Sequence, residues 1–143
     1  MATAAENKDV VSRFYNDVFI NHDMSRMDEY MREDYIQHNA DCPQGKAGFL
    51  DFFDTIFRAV PDFSYTLRKM AADGDIVMAY STTTGTHTGD AWLGQEATGN
   101  RLSFDVVDIF RLEGGKIAEH WDVADTFTFF STLGFARRLL GDS

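Results

Sequence analysis

Asp108, His120 and Asp122 are the residues of this chain best suited to proton chemistry. They lie on RLSFDVVDIFRLEGGKIAEHWDVAD, two β-rich runs flanking Glu113-Gly114-Gly115, which reads as an antiparallel hairpin. Register decides which side chains share a face, because a slip of one residue turns every side chain over. A two-residue Gly114-Gly115 turn would set Asp108 beside Trp121 and Asp125. A three-residue loop ending in a left-handed Gly115 would set it opposite His120. The second is preferred, since Glu113-Gly114 then supplies a type I turn and Gly115 fills the bulge position that favours glycine. Phe104, Val106, Asp108, Phe110, Ala118, His120, Asp122 and Ala124 then form one surface, apolar apart from three titratable groups. Apolar walls disfavour charge, so Asp108 or Asp122 is expected to hold a proton near neutral pH, beside an imidazole that ordinarily titrates there.

Further polar candidates surround this trio. His38 and Asn39 sit on the extended segment DYIQHN, where neighbours point opposite ways, so only one of the two can face a pocket cleanly. His87, in GTHTG, is another candidate to bind substrate, as are Phe110, Tyr15 and Asp125, the last set beside Asp108 in the two-residue register. Asp105 and Glu119 are expected to face water or tie down a loop, and His22 to be solvated at a helix end. His120-x-Asp122 offers two metal ligands, with His38 or His87 as a third, but no downstream histidine completes a set, so no metal is expected. The chain has no glycine-flanked nucleophile elbow and no phosphate-cradling glycine loop. Cys42 is the one cysteine; it excludes an internal disulfide and, beside Pro43, lacks the histidine neighbour of a catalytic thiol.

The elements that must position these residues follow from period. Val10, Val11, Phe14, Tyr15, Val18 and Phe19 recur at helical spacing behind a Thr3/Glu6 capping box. Met24, Met27, Tyr30 and Met31 mark a shorter helix capped by Asp23. A third helix begins at Gly45, carries Phe49, Phe52, Phe53, Ile56, Phe57 and Val60, and ends at Pro61. Alternation then takes over, with Asp73-Gly74 as a hairpin turn, a polar loop over 89–100, the hairpin above, and a closing helix or lid in TFTFFSTLGFARRLL. Helices first and strands afterwards is the α+β order, with helices on one face of an antiparallel sheet.

The 143 residues, 44% apolar with 13 Phe, suit a single domain spanning 1–143 whose core can surround a cavity. A net charge of -10 disfavours nucleic acid as a partner. No apolar run reaches membrane-spanning length and MATAAENKD lacks a targeting pattern, so a soluble, cytoplasmic protein without membrane partners is expected.

YIQHN, GTHTG, TGNRLSFDVVDIFRLEGGKIAEHWDVAD and the trailing STLG together resemble the SnoaL-like polyketide cyclases over nearly the whole chain. DIFRLEGGKIAEHWD is similar to the subgroup described as SnoaL-like aldol-condensation enzymes. The resemblance implies a cone-shaped curved antiparallel sheet wrapped around N-terminal helices, shared with nuclear-transport-factor-2-like proteins, ketosteroid isomerase and scytalone dehydratase. It also implies cofactor-free acid/base chemistry on an apolar carbonyl compound, in which a carboxylate moves a proton from carbon and the enolate closes a ring. Asp122 best matches the cyclase acid/base, with His120 sharing its proton or orienting the substrate. Asp108 falls where ketosteroid isomerase has the protonated aspartic acid of its oxyanion hole. His38 matches the family's recurring histidine. Asn39 stands where the isomerase has its general base, and an amide cannot take that proton. Hydration, dehydration, isomerisation or hydrolysis in the same pocket is the alternative, and so is a non-catalytic ligand-binding or dimerisation module. A homodimer is expected; Trp121, on the opposite face, would pack in its interface or cover the sheet within one chain.

Overall fold

The computed structural model describes residues 2–134. Thr3 opens helix α1 (Ala4–Phe14) with the predicted capping box: its Oγ1 accepts from the Glu6 N–H at 3.1 Å, and Glu6 reaches back to the Thr3 N–H. The helix then widens into a π-helical turn, Tyr15–Ile20, so the single amphipathic helix read from the spacing changes its winding at Tyr15. Helix α2 is only Met27–Tyr30; Asp23 does not cap it but closes a turn onto Ser25, and Met31 already belongs to strand β1 (Met31–Gln37). Helix α3 (Gly45–Ala59) follows, its C-terminus set by Pro61. His22, expected to be merely solvated, stacks on Phe57 at 4.0 Å and places Nε2 2.6 Å from the Phe63 carbonyl oxygen, holding the end of the π turn against the exit of α3.

Four further strands complete the sheet: β2 (Ser64–Asp73), β3 (Ile76–Thr86), β4 (Arg101–Glu113) and β5 (Lys116–Ala124), before helix α4 (Thr126–Leu133). The rest of the predicted closing segment, from residue 135, lies outside the described residues. Strand order is β1-β5-β4-β3-β2, an open curved sheet whose inner face carries the helices. It is mixed rather than wholly antiparallel, because β1 runs parallel to β5. The two are far apart in sequence, and only close hairpin neighbours are constrained to run antiparallel. The loop between β2 and β3 is Gly74-Asp75, one residue later than expected, with Gly74 at φ 59 in the left-handed region.

The decisive difference lies in the β4/β5 hairpin. Glu113 pairs Lys116, so the connection is the two-residue Gly114-Gly115 turn, with φ of 60 and 77 at its two glycines. Such a primed turn suits the twist of a hairpin. Continued without interruption, this register would place Asp108 opposite Trp121 and turn His120 and Asp122 away. An extra residue prevents that: Leu112 pairs Ile117 but Arg111 pairs Glu119, leaving Ala118 as a β-bulge. Ile117 and Ala118 are consequently both buried, and beyond the bulge Phe110 pairs His120 and Asp108 pairs Asp122. The shared face expected for the trio is present, but the bulge sits in the strand and not in the loop, and the direct partner of Asp108 is Asp122, not His120.

The outer face of the sheet carries the rows Met78–Ile109–Trp121 and Tyr80–Val107–Val123, with Met78 48% and Val123 69% exposed. The inner face packs on Val11, Phe14, Val18 and Phe49. Replacing Gly115 by Ala forces a Cβ into the left-handed region, where nothing nearby clashes and the cost is conformational alone. A loss of about 1–2 kcal/mol in urea unfolding is expected, with Gly114→Asn costing less because Asn tolerates this turn.

Candidate active site

Asp108 is only 5% exposed and sits in the middle of β4, where an ionised carboxylate needs compensation. Both oxygens find it. Oδ2 accepts from the Tyr15 hydroxyl at 2.5 Å, delivered by the start of the π turn, and Oδ1 lies 2.8 Å from His120 Nε2 on the neighbouring strand. Burial, then the charge of Asp108, pushes the Tyr15 phenol well above its usual range, so it remains a donor. His120 is stacked on Phe110 at 5.0 Å, and its Nδ1 lies 2.7 Å from Oε1 of Gln37, its parallel-ladder partner on β1.

Asp122 differs in environment. Its Oδ2 accepts from Asn39 Nδ2 at 2.8 Å, and among the described residues nothing bonds Oδ1. Desolvation raises its pKa, the Asn39 hydrogen bond and the His120 charge opposing and the neighbouring carboxylates of Asp108 and Asp41 assisting. Asn39 is itself oriented, since its Oδ1 accepts from the Asp41 N–H at 2.8 Å.

Asp122 stands where two chambers meet. An inner one of about 40 Å³ is walled by Phe14, Phe49 and Phe110 and reaches the polar edge of Gln37, Cys42, Asp108 and His120. An outer one of about 150 Å³ is walled by Phe63, Trp92, Leu102, Phe104 and Phe129. Asn39, Phe52, Phe53, Tyr65 and Asp122 line both. Burial raises the Tyr65 phenol well above its usual range and pushes the Cys42 thiol up to about 11, so neither ionises near neutral pH.

The other candidates lie elsewhere. Of the neighbours on DYIQHN, Asn39 faces the pocket and His38 the outer surface, where it stacks on Trp121 at 4.8 Å and contacts Glu119 at 2.6 Å. Asp105 is also on the outer face, bonded by Tyr80 and Thr82. His87 is fully buried away from both chambers: Nε2 meets the Asp90 carbonyl at 3.0 Å and Nδ1 lies 3.3 Å from the Thr98 hydroxyl, so it anchors the 89–100 loop. Asp125 is the exposed N-cap of α4, and its hydrogen bonds from Thr128 lower its pKa. Tyr15 supports Asp108 and lines neither chamber, whereas Phe110 lines the inner one. Gln37 and Tyr65 are site residues that the sequence reading missed. The signal for Gln37 was present in the period of two that sets it on the same face as Asn39.

Asp108, His120 and Asp122 bring potential ligand atoms within 4.8 Å of one another. A cation there would have to displace the Asp108–His120 hydrogen bond, because Nδ1 is already committed to Gln37.

An open, curved sheet wrapped on N-terminal helices, with polar groups at the base of an apolar cone, defines a protein of the nuclear-transport-factor-2-like architecture. The family model for SnoaL-like polyketide cyclases matches residues 9–133, and the chain belongs to that family. No curated protein matches it by sequence. Among solved structures it is similar to TsrD from Streptomyces laurentii, with 27% identity, 94% of this chain and 99% of that one covered, and a TM-score of 0.84. It is also similar to AclR from Streptomyces galilaeus, a candidate hydroxylase (26% identity, 92% and 83% covered, TM-score 0.82). A third is IdmH from Streptomyces antibioticus, a candidate polyketide cyclase (25% identity, 90% and 98% covered, TM-score 0.75).

The raised pKa of Asp122 fixes the sign of its effect on stability. A carboxyl whose folded pKa exceeds its unfolded value favours folding when protonated and loses that advantage as pH rises through the folded pKa. Asp122→Asn is therefore expected to melt above wild type at pH 7, with the difference vanishing as pH falls below the ordinary value of 3.8. Thermal unfolding across this range checks it; a variant less stable than wild type at pH 7 contradicts the assignment.

Proposed function

We propose that this protein is an acid/base enzyme acting without an organic or metal cofactor, and that it closes a ring by aldol addition within an apolar, polyketide-like carbonyl compound. The observation that carries this reading is the position of Asp122: one oxygen is held by Asn39, the other is unbonded among the described residues, and the group lies between an aromatic vestibule and a buried acid/base pair. The vestibule walls of Phe52, Phe53, Phe63, Trp92, Phe104 and Phe129 suit a flat, apolar carbon skeleton. Asp122 Oδ1 takes the proton from a carbon next to a carbonyl, and the enolate carbon attacks a second carbonyl of the same molecule. The resulting alkoxide takes up a proton from Asp122 or from the Asp108–His120 pair. One C–H bond and the π bond of the attacked carbonyl are lost and one C–C and one O–H bond form; where the pair supplies the proton, Asp122 passes its own to the pair, so that the enzyme ends as it began. A carboxylate whose pKa is lifted toward neutrality is the stronger base for this task.

A second reading, hydration or dehydration of the same kind of substrate, is favoured by the size of the inner chamber. It has room for on the order of three water molecules beside Asp122.

Turnover of a panel of β-keto polyketide-like compounds by wild type, Asp122→Asn and Asp108→Asn separates these possibilities. Ring-closed product with a loss of about 10²–10⁴-fold in kcat for Asp122→Asn is expected. The acidic limb of kcat/KM should lie above the usual aspartate range, following the direction of the Asp122 shift. Equal rates in all three proteins remove the acid/base reading, and water-adducted product selects the second. Treatment with a chelator is expected to leave turnover unchanged; loss of activity together with a stoichiometric metal would make the trio a metal centre.

A further inference from the structure

We propose that Gln37 is a positioning residue that selects the tautomer of His120 and so keeps the Asp108–His120 pair one proton richer than it would otherwise be. The proposal rests on the acid/base reading and adds to it the reason that an acid and a base coexist a few ångströms apart.

The argument begins with a backbone group that can only donate. The Asn39 N–H meets the Gln37 side chain at 3.1 Å, which identifies the atom there as the amide oxygen Oε1. The same oxygen lies 2.7 Å from His120 Nδ1. An amide oxygen has no hydrogen to give, so Nδ1 must carry one. The other end of the amide agrees, since Nε2 donates to the Tyr35 hydroxyl at 2.8 Å. Gln44, at the N-cap position of α3, instead turns its side chain onto the Gln37 backbone at the edge of the sheet: its Oε1 accepts from the Gln37 N–H at 3.1 Å and its Nε2 donates to the Gln37 carbonyl at 2.5 Å. Gln37 is thus held at both backbone groups and both side-chain ends.

With Nδ1 protonated, the remaining contact sets the proton count. Nε2 and Asp108 Oδ1 are 2.8 Å apart, a distance that two facing lone pairs do not sustain, so one proton lies between them. Tyr15 gives its own hydrogen to Oδ2 and does not supply this one. The pair is therefore imidazolium with carboxylate, or imidazole with carboxylic acid, and neutral overall in either form. Were Gln37 to donate to Nδ1 instead, the pair would be a neutral imidazole beside a carboxylate and would carry one proton fewer. Acceptance by Gln37 makes the pair the acid of the site, opposite Asp122 as its base. The other titratable groups turned toward this cluster are Tyr15 from the π turn, Tyr65 from β2, Tyr35 from β1, and Cys42 from the loop before α3. His38 and Glu119 bond each other on the outer face.

The test is nitrogen NMR of the intact protein labelled with ¹⁵N-histidine, with His120 assigned by loss of its signals in His120→Gln. The expected result is a protonated Nδ1 at every pH at which the protein is folded, with titration confined to Nε2. An unprotonated Nδ1 in wild type overturns the proposal without any variant or substrate. Gln37→Glu, of the same shape, is expected to preserve the Nδ1 proton and hold His120 charged to higher pH, and Gln37→Leu to lose the single-tautomer signature. On a substrate found with the β-keto panel, Gln37→Leu should lower kcat tenfold or more with KM within twofold, and Gln37→Glu should restore part of it while moving the basic limb of the profile upward. A raised KM with unchanged kcat would make Gln37 a substrate contact instead. Because the spectroscopic arm needs no turnover, failure of the cyclase reading and failure of this one are separable.

Discussion

A carboxylate in the middle of a buried strand is the constraint around which this molecule is arranged. Asp108 is removed from water, and an unpaired charge there would cost several kcal/mol. Its two oxygens are met from opposite directions, by a tyrosine of the N-terminal helical layer and by a histidine of the next strand. Each partner carries a further demand. Tyr15 must emerge where α1 gives way to the π turn, and His120 must find an acceptor for its second nitrogen, which brings in Gln37 and, through it, Gln44 and the edge strand. The polar network thus ties together elements that apolar packing alone would leave free to slide.

The same requirement gives meaning to the bulge at Ala118. A regular hairpin from the Gly114-Gly115 turn would send His120 and Asp122 to the outer face, where Trp121 and Val123 now stand. One extra residue reverses the parity of the strand between the turn and the site. The turn chemistry and the site chemistry conflict, and the bulge reconciles them at the cost of one ladder position.

Two carboxyl groups paired across the same ladder then acquire different characters from their surroundings. Asp108 is fully engaged by Tyr15 and His120. Asp122 is bonded on one side only and opens onto both chambers, so burial acts on it with less compensation. This division suits a site that must remove one proton and supply another. It also means that Asp122, the base of the proposed mechanism, is ionised against the preference of the fold, a usual tension between stability and activity.

The sequence by itself determined the elements with strong local signals. The capping box at Thr3, the helix beginning at Gly45 and the existence of the β4/β5 hairpin follow from residue type and short-range period, because the interactions that form them span only a few positions, whereas the exact residues of both glycine turns do not. It offered two registers for Asp108, His120 and Asp122, and only one of them gathers the three on a single apolar face. Only the tertiary structure decided how they are joined. The bulge depends on what β4 and the core accept, the parallel pairing of β1 depends on a partner over eighty residues away, and the choice of Asn39 over His38 follows from that pairing. His87 and Asp125 look chemically active as residue types, yet a loop carbonyl and a helix N-terminus claim them. Gln37, uncharged and unremarkable in composition, gains its importance solely from lying against His120. Local propensity acts within one element, whereas the protonation of a site is set by atoms brought together from several.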